Sequence, residues 1–205
     1  LNMAYGCYWG KCSFCDTTLD YIKSYKPTDV ALLIKQIKQI IKDTNIYAFH
    51  FVDEALPPHI LKKLAIELLK ENINIVWWGN IRFDRAFTND LCRLLQASGC
   101  IAVTGGLETC NDRILKLMNK KISVKESVSV LNNFSKAGIM VHTYLIYGFT
   151  SETSNEAINS LEIVRQLFKN GTIHSAYYHR FALTIHSEIY KNPENYNVKP
   201  VVMSG

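Results

Sequence analysis

Short apolar runs alternate with longer stretches of helical periodicity from one end of the chain to the other, and this alternation limits the fold more than any single residue does. Residues 1–5, 46–52, 73–78, 100–104, 139–147 and 173–183 are rich in apolar, β-branched and aromatic side chains and read as strands, the second of them as a buried one. Between the first two runs, Val30, Leu33, Ile34, Ile37, Ile40 and Ile41 recur at helical spacing, with Lys35, Lys38 and Lys42 largely on the other side. Pro27 opens that helix, and Thr28 or Asp29 is placed to satisfy its first amides. Leu61, Leu64, Ala65 and Leu68 mark the next helix, after Pro57 and Pro58. Residues 87–98 form another, capped by Thr88 and stopped by Gly99, and further helical segments cover 111–118, 124–137 and 154–169.

Parallel neighbouring strands need a crossover connection, which is what a helix between each pair supplies. Six such units in 205 residues are too few for a closed eight-unit barrel, which takes about 250 residues. The expected fold is therefore α/β, a partial (β/α)6 TIM-like barrel with parallel strands. Residues 1–183 would form its core and 184–205 a C-terminal extension. A doubly wound open sheet is the other candidate. It would be supported by a glycine-rich dinucleotide fingerprint after the first strand, a place occupied here by a cysteine loop.

That loop, Gly6-Cys7-Tyr8-Trp9-Gly10-Lys11-Cys12-Ser13-Phe14-Cys15-Asp16, holds three of the chain's six cysteines in the spacing C-x4-C-x2-C. A structural zinc site needs four protein ligands, usually as two pairs, and no second pair of that spacing follows. A disulfide framework suits a small secreted domain, not a chain of this length with cysteine scarce elsewhere. Three inert buried thiols would not call for Gly10, Lys11 and Ser13 between them. A [4Fe-4S] cluster held by three thiolates remains, and it would leave one iron open to a non-protein ligand.

Composition narrows the partners. The net charge of +5 is mild and its lysines and arginines are dispersed, so nucleic acid is not indicated. No apolar run reaches the length of a membrane span and no signal peptide is visible, so no membrane is expected and the expected location is cytoplasmic. The chain begins almost inside the cysteine loop, and we expect it to be part of a longer protein.

In parallel α/β folds the reactive groups gather at the C-terminal ends of the strands. Those ends supply Cys7, Cys12 and Cys15, then Asp53 and Glu54, Asn80 and Arg82, Glu108, Tyr144 and Tyr147, and on the sixth run Tyr178, His179 and Arg180.

Three cysteines near the start, with Phe14 just ahead of the last, resemble the cluster loop of the radical S-adenosylmethionine (radical SAM) enzymes. The commonest form of that loop has three residues between the first two cysteines. Here there are four, as in longer Trp-containing loops of some cobalamin-dependent members. Gly105-Gly106-Leu107-Glu108, followed by Ile114, Leu115, Met118, Asn119 and Lys120, is similar to the fourth-strand region of the coproporphyrinogen-dehydrogenase-like and methylthiotransferase-like branch. Val52-Asp53-Glu54-Ala55 stands where many members carry Gly-Gly-Glu, and 184–200 resembles the tail of cobalamin-binding-domain members.

The resemblance implies a [4Fe-4S] cluster on Cys7, Cys12 and Cys15. It places S-adenosylmethionine beside Phe14, Asp53, Glu54, Arg82, Glu108, Lys120 and Tyr144. Glu108 would bind its ribose and Lys120 its carboxylate, while Arg82 would face the methionyl group or the substrate. The implied reaction is reductive cleavage of S-adenosylmethionine to methionine and a 5′-deoxyadenosyl radical, which takes hydrogen from a small-molecule or peptide substrate that no residue identifies. It further implies an external electron donor such as flavodoxin or ferredoxin. Cobalamin, held by a domain outside this chain, would make the parent a methyltransferase or a rearrangement enzyme. The rival is a non-enzymatic iron-sulfur or zinc-binding module.

Overall fold

In the computed structural model, which describes residues 1–200, the elements run β1 (Ala4–Tyr5), α1 (Asp20–Lys23), β2 (Lys26–Pro27), α2 (Val30–Thr44), β3 (Ala48–Phe51), α3 (Pro58–Lys70), β4 (Val76–Ile81), α4 (Asn89–Ala97), β5 (Cys100–Glu108), α5 (Asp112–Leu117), α6 (Val124–Lys136), β6 (Met140–Tyr147), α7 (Ser154–Lys169), β7 (Ser175–Arg180) and α8 (Glu188–Lys191). Residues 201–205 of the expected extension lie outside the described residues. Several helix starts follow from the sequence. The Asp29 carboxylate accepts from the amide of Ala31 at 2.7 Å, Thr88 caps α4, and Ser123 and Thr153 each close a reciprocal capping box with the glutamate three residues on.

Strands β3 to β7 form one parallel sheet in chain order. A doubly wound sheet reverses direction at a switch point. Unbroken chain order is that of a sheet curling into part of a barrel, with each helix crossing outside it. The core lies between helices and sheet: Leu33 and Ile37 of α2, Leu61, Leu64 and Leu68 of α3, Phe51, Trp77, Val103 and Val141 are all almost fully buried. Trp77 satisfies its indole by donating to the Ser98 carbonyl at 3.2 Å and meets Phe51 edge-on at 5.7 Å.

The opposite, concave face is uncovered. His50 stacks on Trp78 with ring centroids 5.1 Å apart. His142, Tyr144, His179 and Tyr177 form a chain of ring contacts at 5.1, 5.5 and 4.5 Å.

Five strands, not six, are joined in the parallel sheet. The expected first strand contributes a single residue: Leu1 donates to the His50 carbonyl at 3.3 Å and accepts from Val52 at 3.0 Å, a parallel step along the β3 edge. Beyond it the buried Asp53 carboxylate intercepts the chain, accepting from the amides of Met3 (2.9 and 3.0 Å) and Ala4 (2.6 Å). Ala4 and Tyr5 then pair antiparallel with Pro27 and Lys26. The 46–52 run is also trimmed. Ile46 and Tyr47 are about half exposed and precede β3, where only Phe49 and Phe51 enter the core. The 173–183 run narrows to β7, an edge strand that is largely exposed.

Since Asp53 answers two amides in a buried position, Asp53→Ala strands both donors. The expected loss is about 3 kcal/mol of unfolding free energy, measured by urea titration. An unchanged midpoint would refute the role.

Candidate active site at the cysteine loop

The cysteine loop is tied down from three directions. Cys7 donates its amide to Ile22 at 3.1 Å. Residues at the end of α5 hold the middle: Ser13 donates its amide to Met118 at 3.1 Å and its hydroxyl to Leu117 at 2.8 Å, Asn119 donates to the Lys11 carbonyl at 2.7 Å, and the Trp9 indole donates to Asn119 at 3.2 Å. From the C-terminal segment, Ile189 of α8 donates to the Ser13 carbonyl at 3.1 Å. Beneath the loop sits a second small core of Ile114, Met118, Phe149 and Ile189, against which Phe14, Phe181, Leu183, Tyr196 and Val198 pack. Phe14 meets Phe149 edge-on at 6.3 Å.

Cys7, Cys12 and Cys15 line one cavity of about 400 Å3 together with Phe14, Glu54, Arg82, Glu108, Lys120 and Tyr144. Sequence reasoning placed ten residues at the site, and nine share this cavity. Asp53 does not line it; its carboxylate is spent on the Met3 and Ala4 amides. Asn80 and His179, read from the strand-end rule, also line the cavity, as do Thr104 and Gly106, which that reading passed over. The signal for the last two was available: they alternate along β5 with the buried Val103, Gly105 and Leu107. Ile22, supplied by the short α1, carried no such signal. A larger groove of about 1080 Å3 lies between α2 and α3, but it holds no cysteine, and its lysines are interleaved with Asp29, Glu67 and Glu71.

The floor of the cavity is a buried ion pair. Lys120 donates to the Glu108 carboxylate at 2.8 Å and to the Gly106 carbonyl at 3.1 Å, both side chains being under a tenth exposed. Burial works against the Lys120 charge, yet the Glu108 carboxylate and the Cys12 thiol outweigh it and raise the ammonium above the ordinary lysine range. Glu108 holds a left-handed backbone (φ 63°) where the β5–β6 register shifts, an arrangement that re-aims a side chain at some conformational cost. Gly106 makes it fit. A Cβ there would lie 1.8 Å from the Glu108 carboxylate oxygen.

Arg82 completes the wall. Its guanidinium pairs with Asp84 at 2.6 Å, bonds the Lys120 carbonyl and lies 4.3 Å from the Trp9 ring centroid, while its Nε has no partner among the described residues. Burial raises the Tyr8 phenol, whose oxygen is also unpartnered.

All six cysteines are free, and the loop differs from the rest in its electrostatics. The hydrogen bond from Cys15 lowers the Cys12 thiol below the ordinary thiol range, against burial and with help from Lys120, and Cys15 rises in consequence. Burial pushes Cys92 and Cys110 up to about 12 and raises Cys100 as well. Because the thiolate is the nucleophile, iodoacetamide at pH 7 should label Cys12 in cluster-free protein about a hundredfold faster or more than Cys92, Cys100 or Cys110. Peptide mapping by mass spectrometry checks this, and equal labelling would contradict it.

The donor set suits a cluster better than an ion. Among the described residues no three His, Cys, Asp or Glu side chains are grouped closely enough to hold a single metal ion. Three free thiols nevertheless face one cavity, as the ligands of a cluster with one open iron would. The same cavity offers a carboxylate, an ammonium and an unpartnered guanidinium N–H for a polar ligand beside them.

The family model described as the radical SAM superfamily matches residues 1–164. An uncharacterized methyltransferase of Pyrococcus horikoshii is 25% identical over 160 residues, 76% of this chain and 34% of that protein. The bacteriochlorophyllide d C-12(1)-methyltransferase of Chlorobaculum tepidum is 27% identical over 166 residues, 78% of this chain and 36% of that one. The chain thus spans about a third of the length of these curated relatives. Among solved structures, the radical S-adenosylmethionine methyltransferase TsrM from Kitasatospora setae, with cobalamin and a [4Fe-4S] cluster bound, superposes with a TM-score of 0.77. It covers 93% of this chain and 38% of that one, at 15% identity, which establishes a shared fold.

Proposed function

Because the chain belongs to the radical SAM superfamily, we propose that it is the catalytic core of a radical SAM enzyme, holding a [4Fe-4S] cluster on Cys7, Cys12 and Cys15 and S-adenosylmethionine in the adjoining cavity. The observation that carries this is the shared cavity: three thiols that no disulfide uses face Glu108, Lys120 and Arg82 across about 400 Å3. When bound, the reduced cluster supplies the electron that splits S-adenosylmethionine into methionine and a 5′-deoxyadenosyl radical. The chain's own residues bind, orient and shield. Lys120 and Arg82 carry the positive charge for the methionine carboxylate, and the Glu108 carboxylate accepts from ribose hydroxyls. Glu54 adds a second acceptor at the rim, while Phe14 and Trp9 exclude water. Asp53 acts on the fold.

Tyr144 and His179 line the cavity and also belong to the uncovered concave face, so substrate would reach the radical from that side. Relatives named as methyltransferases and the fold shared with TsrM support a cobalamin-dependent methyl transfer in the whole protein, with cobalamin held outside these residues. Members of the superfamily need a reductant, and we infer an external flavodoxin or ferredoxin as its source. Six free thiols fit a reducing compartment, hence the cytoplasm. No described helix is long and apolar enough to cross a membrane.

The test is anaerobic reconstitution with iron and sulfide, reduction with dithionite and incubation with S-adenosylmethionine. Methionine and 5′-deoxyadenosine should appear in equal amounts. A fully loaded protein that yields neither would point instead to an iron-sulfur module that only stores electrons or braces the scaffold.

A further inference from the structure

Cys12 lines two cavities at once. Besides the inner one, it belongs to a groove of about 740 Å3 on the outer side of the loop, whose wall also includes Lys11, Lys116, Leu117, Glu188 and Tyr196. Cys7 and Cys15 line only the inner cavity among those described. Of the three cysteines Cys12 alone is thus shared between the two spaces, together with its neighbours Gly10 and Lys11.

We propose that this outer groove is the docking surface for a small acidic one-electron carrier protein, and that Cys12 is the point of electron entry. The inference rests on the radical SAM reading above and adds to it the place where the reductant arrives. The inner cavity is too small for a protein and is already claimed by cofactor and substrate, so a protein donor has only the outer side of the loop to approach.

The charge there favours an acidic partner. Lys11 and Lys116 are exposed and make no ion pair among the described residues, against a single carboxylate, Glu188, in the groove wall. Arg113, at the same groove, is neutralised by Glu156 at 2.6 Å. Leu117 and Tyr196 give the centre an apolar contact, as docking patches with a charged rim do.

The surface is also rigid. The Ser13 bonds to Met118, Leu117 and Ile189 fix the loop from both sides of the groove. Docking therefore does not require the cysteines to move. In the transfer itself one electron leaves the reduced carrier, which is oxidised by one, and the thiolate-held cluster is reduced by one; no proton or group need move with it.

The test compares the chain with its Lys11→Glu/Lys116→Glu and Lys11→Gln/Lys116→Gln variants, using reduced flavodoxin as the probe. Stopped-flow bleaching of the cluster at low ionic strength should slow by about tenfold or more in the charge-reversed protein and by less in the neutralised one. The salt dependence of the parent should flatten in both. Reduction of the cluster by photoreduced deazaflavin, a small molecule that needs no docking surface, should be unchanged.

Calorimetric affinity for flavodoxin, measured on cluster-free protein, reads the same surface without turnover. Equal rates and equal affinity in all three proteins would overturn the docking surface while leaving the enzyme reading intact. A chain that loads no cluster yet shows the affinity difference would sink the enzyme reading and keep the surface. A variant that self-associates differently from the parent, with flavodoxin affinity unchanged, would reassign the groove to a second copy and overturn the proposal.

Discussion

Cys12→Ala is expected to lower bound iron from about four atoms per chain to near background after reconstitution and to reduce 5′-deoxyadenosine formation about a thousandfold or more. The proposed cluster would have three protein ligands and no spare, so losing one would leave two corners unsupported. Cys12 is only partly buried, so urea unfolding of the cluster-free variant should match the parent within about 0.5 kcal/mol. Cys100→Ala should do the reverse. Its side chain is in the core, so stability falls by about 1 kcal/mol while iron content is retained. Iron assay, product analysis and unfolding on both variants decide the matter. A Cys12→Ala protein that still binds four irons would remove the basis of the proposed chemistry.

The second large effect concerns the buried pair. Lys120→Met removes the one ion-pair partner, among the described residues, of a Glu108 carboxylate that is itself under a tenth exposed. Truncating one side of such a pair leaves an uncompensated buried charge, worth about 3–5 kcal/mol of lost stability. Glu108→Gln/Lys120→Met takes away both charges, and should recover about 1 kcal/mol or more relative to the sum of the single changes.

Cofactor binding separates from stability in the same set. In the proposed complex Lys120 pairs with the cofactor's carboxylate through its remaining donor and Glu108 accepts from the ribose through its remaining lone pairs. Both single variants should bind S-adenosylmethionine about tenfold more weakly or worse. Calorimetry at a temperature where each variant remains folded checks this, and undiminished affinity in Lys120→Met would assign the pair to architecture alone.

Local rules made much of the fold legible. Asp29 and Thr88 announce their helices because a short polar side chain ahead of an amphipathic run has few better partners than free amides. Chain-order strands with helices between them give the parallel sheet. What the sequence hides is competition from distant residues. The 1–5 run has strand composition throughout, but Asp53, about fifty positions away, captures two of its amides and turns the chain toward Pro27 after one paired residue.

The site divides along the same line. Three cysteines within nine residues advertise themselves, whereas Asp53 and Glu54 look alike after a strand and are told apart only by burial: one braces the chain start, the other faces the cavity. The irregular register at Gly106 and Glu108 leaves no mark in composition. A glycine pair before an acid is consistent with many turns, and only the overlap a side chain would suffer there reveals why it is needed.

The outer edge of β7 has a further consequence. β7 bonds to β6 on one side, and among the described residues no strand joins its other side. Tyr177 and Tyr178 stand out from it without a lysine or proline within the strand to discourage intruders. Such an edge is a template for adding another strand. Purified by themselves, these residues will tend toward aggregates through that border, and a charged substitution such as Tyr177→Lys offers a way to keep them dispersed for spectroscopy.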